Sequence, residues 1–159
     1  MPSKYTFEVK PLREIIDRYK GGDEQWFDPF AGLLSPAEVT NDLNPENPAQ
    51  YHLEALDFVN KLEPPYDGCL FDPPYSLTQV SRSYQNIGLK FHGKENPTGG
   101  FPKVRDRVAV LVRSGGYVIS YGWNTVGMGV KRGFEPVEYL ICSHGGNRND
   151  TLVTVERRK

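Results

Sequence analysis

Three features of the 159-residue sequence predict an α/β fold with a mostly parallel sheet and a C-terminal antiparallel hairpin. Short apolar runs alternate with amphipathic ones through the first 121 residues, the order expected of strand–helix units. Three of the apolar runs lead into an acidic residue: Asp28, Asp42 and Asp72. The last two runs are joined by His144-Gly145-Gly146-Asn147-Arg148-Asn149-Asp150, which has the Gly/Asn chemistry of a hairpin turn.

Residues 11–19 set Leu12, Ile15, Ile16 and Tyr19 at helical spacing, with Pro11 in the first turn and Gly21-Gly22 as the stop. Residues 25–27 read as a short buried strand running into Asp28, and 38–41 as a second ending at Asp42. Pro45 and Pro48 disfavour a full helix directly afterwards. Residues 51–54 form a third strand with a short helix over 55–62, or else 48–62 is one helix. Residues 67–71 are a buried strand leading into Asp72, and the polar stretch 76–103 is expected to be a loop. A helix over 104–112, closed by Gly115-Gly116, precedes a strand at 117–121. Strands at 136–142 and 151–156 complete the hairpin. In a sheet of this type ligands collect beyond the carboxyl ends of the strands, so the three aspartates point to one cleft.

Length and composition fit one soluble domain, with 38% hydrophobic and 25% charged residues. The longest apolar runs fall far short of a bilayer span, and MPSKYTFEVK has no apolar signal core, so a cytoplasmic protein with no membrane partner is expected. Cys69 and Cys142 lie inside apolar runs and read as reduced core residues; no Cys/His spacing predicts a metal site. Charge is segregated. Residues 1–75 hold 6 Lys/Arg against 14 Asp/Glu, whereas 76–159 hold 13 against 6. The basic half could form a face that steers a polyanion, or a solvated surface of mixed charge.

Asp72-Pro73-Pro74-Tyr75 carries the chemistry. Two consecutive prolines fix φ twice and remove two donors, leaving a stiff backbone with its carbonyls free. The Asp72 carboxylate and the Pro73 carbonyl are then two acceptors side by side, matched to the two hydrogens of an exocyclic amino group. Accepting both localises the nitrogen lone pair and stabilises the charge that develops on methyl transfer. Tyr75 offers a flat face for an extruded base.

The chain resembles the amino-methyltransferases of DNA that carry a D-P-P-Y motif. Glu8-Val9-Lys10-Pro11-Leu12 resembles their Lys-Pro segment, Asp28-Pro29-Phe30-Ala31-Gly32 their cofactor loop, and Asp42-Leu43-Asn44 the acidic end of their second strand. Glu54-Ala55-Leu56-Asp57-Phe58 resembles the segment whose acidic residue meets the cofactor's adenine. Residues 115–124 resemble the next family strand, and the 144–151 tail resembles small phage-type adenine-specific DNA methylases. Leu34 stands where the family's loop has a second glycine.

The resemblance implies a compact Rossmann-like methyltransferase fold, S-adenosylmethionine as cofactor and DNA as partner, with methylation of adenine N6. It implies Asp72, Pro73, Pro74 and Tyr75 as the catalytic residues. Lys10, Asp28, Pro29, Phe30, Gly32, Asp42 and Glu54 would form the cofactor site. No separate target-recognition domain remains, so substrate contacts fall to the 76–103 segment: Arg82, Tyr84, Lys90 and His92, basic residues interleaved with aromatics. A recognition partner or a homodimer would supply further selectivity. RNA or another amino substrate, and a cofactor-binding subunit with weak or no catalysis, are the alternatives. Trp123 and Asn124 border the cofactor or the core edge, and His144, Asn147 and Asn149 line the cleft or serve the turn.

Overall fold

The computed structural model describes residues 6–91, 101–145 and 149–159. A 3-10 turn at Thr6–Glu8 leads into α1 (Lys10–Tyr19), followed by β1 (Trp26–Asp28), β2 (Val39–Thr40), α2 (Ala55–Lys61) and β3 (Tyr66–Phe71). Then come α3 (Leu77–Asn86), α4 (Pro102–Leu111) and β4 (Val112–Gly122). A second 3-10 turn at Val130–Arg132 precedes β5 (Phe134–Cys142) and β6 (Thr151–Arg158). The six strands form one sheet in the order β2-β1-β3-β4-β6-β5. The first four are parallel; β6 runs antiparallel between β4 and β5. The expected fold class and terminal hairpin are both present.

Alternation along the strands sends side chains to two apolar layers. Phe27, Cys69, Phe71 and Val118 pack under α2 and α4 through Phe58, Val59, Val108 and Leu111. Trp26, Leu70, Ile119, Val153 and Val155 pack under Leu12, Ile15 and Ile16 of α1. Both cysteines are free and buried. No helix of the described residues is long and apolar enough to cross a membrane.

Three expectations need correction. Gly115-Gly116 does not close the helix before it: α4 ends at Leu111, and both glycines lie inside β4. The third strand at 51–54 is reduced to a single parallel bridge, Asn41 to Tyr51, because Leu53 is tied to the Asn41 side chain instead of to a neighbouring strand. The 76–103 segment is not a loop throughout: α3 occupies Leu77–Asn86. Ser76 caps it, its Oγ accepting from the backbone N–H of Gln79 at 3.2 Å, while the Gln79 side chain accepts from the N–H of Tyr75 at 2.6 Å. This is close to a reciprocal capping box, and it closes the turn directly after the Pro-Pro pair.

The sheet order reverses between β1 and β3: the chain leaves β1 towards β2 on one side and returns to β3 on the other. Parallel sheets open a crevice at such a point. Asp28 ends β1 and Asp72 follows β3, so these two residues flank it.

Candidate active site

A cleft of about 330 Å³ opens at this reversal. Its walls come from the loop after β1 (Pro29, Phe30, Gly32), the segment after β2 (Asp42), Glu54 before α2, Asp72 and Pro74 after β3, and the inner face of α3 (Val80, Ser83, Tyr84). The lining is mainly apolar with a few convergent polar groups, the usual composition of a small-molecule site.

Asp28 does not line the cleft; it is fully buried beneath it. Its Oδ1 accepts the N–H of Phe30 at 2.8 Å and its Oδ2 the hydroxyl of Ser35 at 2.6 Å, so it folds the loop. Burial pushes its carboxyl up to about 7, against the opposing pull of those two hydrogen bonds. Within that loop Gly32 adopts φ +59°, and a Cβ placed there would meet nothing within 4 Å. The backbone therefore faces open space in a conformation that glycine adopts without strain. Leu34 is 43% exposed and lines the same cleft.

Asp42 is half-buried and braces the site from the β2 side. Its Oδ2 accepts from the N–H of Gly32 and its Oδ1 from the N–H of Asn44, at 2.9 and 2.8 Å. Each oxygen keeps a lone pair for a further donor. Asn41, buried beside it, donates to the carbonyls of Pro29 and Leu53 and accepts from the N–H of Leu53, tying the first loop to the segment before α2. Glu54 accepts the Tyr84 hydroxyl through Oε2 at 2.5 Å, so α3 is fastened across the cleft. Phe101, at φ +48°, puts its ring 4.9 Å from that of Phe30 on the opposite rim.

At the floor, Asp72 is buried, with its carboxyl pushed up to about 7 chiefly by desolvation. Hydroxyls of Tyr75 and Thr6 hydrogen-bond to it and pull the other way. Pro73 is buried, and Pro74 reaches the cleft. Arg105 lies over the Phe71 ring, 5.0 Å from its centroid, just before this turn.

The remaining expected residues are dispersed. Lys10 stands outside the cleft, its side chain 86% exposed and its ammonium 3.8 Å from Glu14. Tyr84, expected against substrate, faces the cleft and Glu54. Arg82 is on the outer side of α3, beside a shallow groove with Ser81, Gln85 and Phe91. Lys90 is exposed beyond the helix, and His92 lies outside the described residues. His144 sits 2.8 Å from Thr151 across the hairpin, which is turn service, and Asn147 is outside the described residues. Ser35, Asn41, Ser83 and Phe101 are site residues that sequence reasoning missed. Only α3 had a readable signal, the Ser76-x-x-Gln79 cap.

Tyr84→Phe removes the hydroxyl on Glu54 and loosens one wall. The ligand of this cleft should then bind about threefold to tenfold more weakly, the worth of one partly exposed charge-assisted hydrogen bond. Calorimetric titration of wild type and mutant checks this; equal affinities would show that the clasp does not shape the site.

No family profile and no curated protein sequence matches the chain. The fold is that of Rossmann-like methyltransferases. The solved structures that share it include the 1,6-didemethyltoxoflavin-N1-methyltransferase of Burkholderia thailandensis, bound to 1,6-didemethyltoxoflavin and S-adenosylhomocysteine. There the TM-score is 0.64 at 14% identity, covering 99% of this chain and 81% of that one. TrmN from Thermus thermophilus matches with TM-score 0.56 at 16% identity, over 94% of this chain and 48% of that one. The N-methyltransferase NodS from Bradyrhizobium japonicum WM9 matches with TM-score 0.53 at 12% identity, over 99% of both chains.

Proposed function

We propose that the chain transfers a methyl group from S-adenosylmethionine to an exocyclic amino group of a nucleic-acid base, with adenine N6 of DNA as its target. One observation carries this reading: a buried carboxylate, Asp72, followed by a rigid Pro-Pro turn, at the floor of a cleft where the sheet order reverses.

The residues present suit the cofactor. Gly32 and the carboxylates of Asp42 and Glu54 all line the cleft, with the Gly32 N–H held on Asp42. Asp42, with lone pairs left over, would accept the ribose hydroxyls, and the free Oε1 of Glu54 the adenine amino group. Phe30 would pack against the apolar parts, and the open backbone at Gly32 allows close approach of the amino-acid moiety. Asp28 and Asn41 would act beneath, holding the loops that make those contacts. The solved neighbours with bound S-adenosylhomocysteine support this choice.

When bound, the cofactor supplies an electrophilic methyl group. The chain supplies acceptors. Asp72 takes one hydrogen of the target amino group and the Pro73 carbonyl the other, directing the nitrogen lone pair towards the cleft. Tyr75 and Thr6 donate to Asp72 and fix its rotamer. Once nitrogen has gained its methyl group it carries a positive charge, and Asp72 takes the proton that restores neutrality. A carboxyl poised near 7 can serve both as acceptor and as transient acid. Arg82 and Lys90, on the exposed side of α3 and beyond it, would hold phosphates outside the cleft. Lys10 would need a different rotamer to reach the cofactor.

Titration calorimetry with S-adenosylmethionine and with S-adenosylhomocysteine tests the cofactor half. Saturable one-to-one binding of both, weakened by Asp42→Ala, is expected. No heat from either ligand would remove the basis for a methyltransferase.

A further inference from the structure

We propose that Trp123, and not Tyr75, is the surface on which the amino-bearing ring of the substrate stacks. This rests on the methylation reading and narrows it to planar heteroaromatic amines, as against an amide on a flexible side chain.

Tyr75 is held at three points. Its hydroxyl donates to Asp72, its backbone N–H donates to Gln79, and its ring packs against the apolar layer beneath α1. A ring so tied has little freedom to offer a flat face to a base. Trp123 is free to do so. Strands β3 and β4 are parallel with Phe71 opposite Ser120, so β4 runs out towards Trp123 at the same edge of the sheet at which β3 runs into Asp72. Its ring lies 5.5 Å from that of Tyr75 at an interplanar angle of 59°, and the residue is 42% exposed.

The support of Trp123 is rigid at both ends. Before it, β4 is fixed between β3 and β6. After it, Asn124 accepts the N–H of Val126 at 3.0 Å. Beyond that, the N–H groups of Met128 and Gly129 both donate to the buried Glu156. An indole held against the ring of Tyr75, whose hydroxyl is on Asp72, stacks a substrate ring without paying to order itself first. Aromatic stacking tolerates any base, since every base has a π-face, and an alkyl amide offers the indole a much smaller plane.

Two arms test this on the full chain. Trp26 is fully buried, so emission sensitive to added ligand belongs to Trp123. Single-stranded dA12 should quench wild-type emission, an abasic twelve-mer should not, and Trp123→Phe should lose the quenching. In the kinetic arm, Trp123→Ala should raise KM for dA12 about tenfold or more, with cofactor affinity and Tm unchanged, while Trp123→Phe stays within about threefold. Quenching that survives in Trp123→Phe, or none in wild type, overturns the proposal, as does an unchanged KM in Trp123→Ala. Quenching by dA12 without methyl transfer by the wild type would count against the methylation reading and leave the stacking surface standing.

Discussion

Asp72→Asn is expected to lower methyl transfer by about 10²–10³-fold, the usual loss when one pre-organised polar group is removed from a reacting centre. Asparagine keeps the shape and one acceptor oxygen, so the Tyr75 and Thr6 hydroxyls retain a partner and the cleft keeps its form. Cofactor affinity should therefore stay within about threefold. The pH dependence follows from the same group. Wild-type turnover needs the carboxylate and should fall about tenfold per unit below pH 7.

Stability should run the opposite way. Burial raises the folded carboxyl to about 7, above its unfolded value of about 3.9. The folded chain thus binds more protons than the unfolded one between those two values. The stability linked to this group is fully present below about pH 4 and lost as pH rises through about 7. Asp72→Asn has no charge to bury, so it should melt several degrees above wild type at pH 8, an advantage that vanishes near pH 4. Scanning calorimetry at the two pH values, beside a turnover assay, separates these effects. A mutant that is inactive and also unstable at pH 8 would mean that Asp72 is structural.

Gly68→Ala should destabilise the fold by about 3 kcal/mol, near the upper end for overpacking of a tight site. Gly68 on β3 pairs with Trp26 on β1, and the indole lies across the glycine. A Cβ there would stand 2.4 Å from Cε2 of Trp26, with two more ring atoms at 2.5 Å. Trp26 cannot yield easily, being fully buried with its Nε1–H on Glu24 at 2.9 Å. Urea unfolding should show the loss. The double mutant Trp26→Phe/Gly68→Ala should cost less than the sum of its parts, because the smaller ring makes room. Additive costs would mean that the indole is not what excludes the methyl group. Because β1 and β3 carry Asp28 and Asp72 at their ends, the same substitution should weaken cofactor binding as well.

Much of this was legible because the informative residues sit where backbone chemistry is strict. Buried strands at 25–27 and 67–71 could be read from apolar runs ending in Asp-Pro, and the terminal hairpin from its Gly/Asn turn. The Asp72-Pro73-Pro74 turn was legible because proline leaves few conformations. The misreadings have physical causes too. Helix α3 was lost because its polar sequence, LTQVSRSYQN, has only Leu77 and Val80 as strong apolar residues, and the cap that starts it lies in Ser76 and Gln79. The third strand failed because Asn41 captures the Leu53 backbone, a long-range contact that no local pattern reveals. The roles of Asp28 and Tyr75 depend on which way a side chain turns. Asp28 folds its own loop, and the Tyr75 hydroxyl is spent on Asp72.

The central claim is amino-group methylation at Asp72. It is tested most directly by incubating the chain with S-adenosylmethionine and heat-denatured DNA of mixed sequence, then measuring methylated nucleosides by mass spectrometry after complete digestion. N6-methyladenine should accumulate with wild type and stay at background with Asp72→Asn. A wild-type chain that binds the cofactor yet leaves no methyl group on any base amino group of DNA, or an Asp72→Asn chain that methylates as fast as wild type, would contradict it.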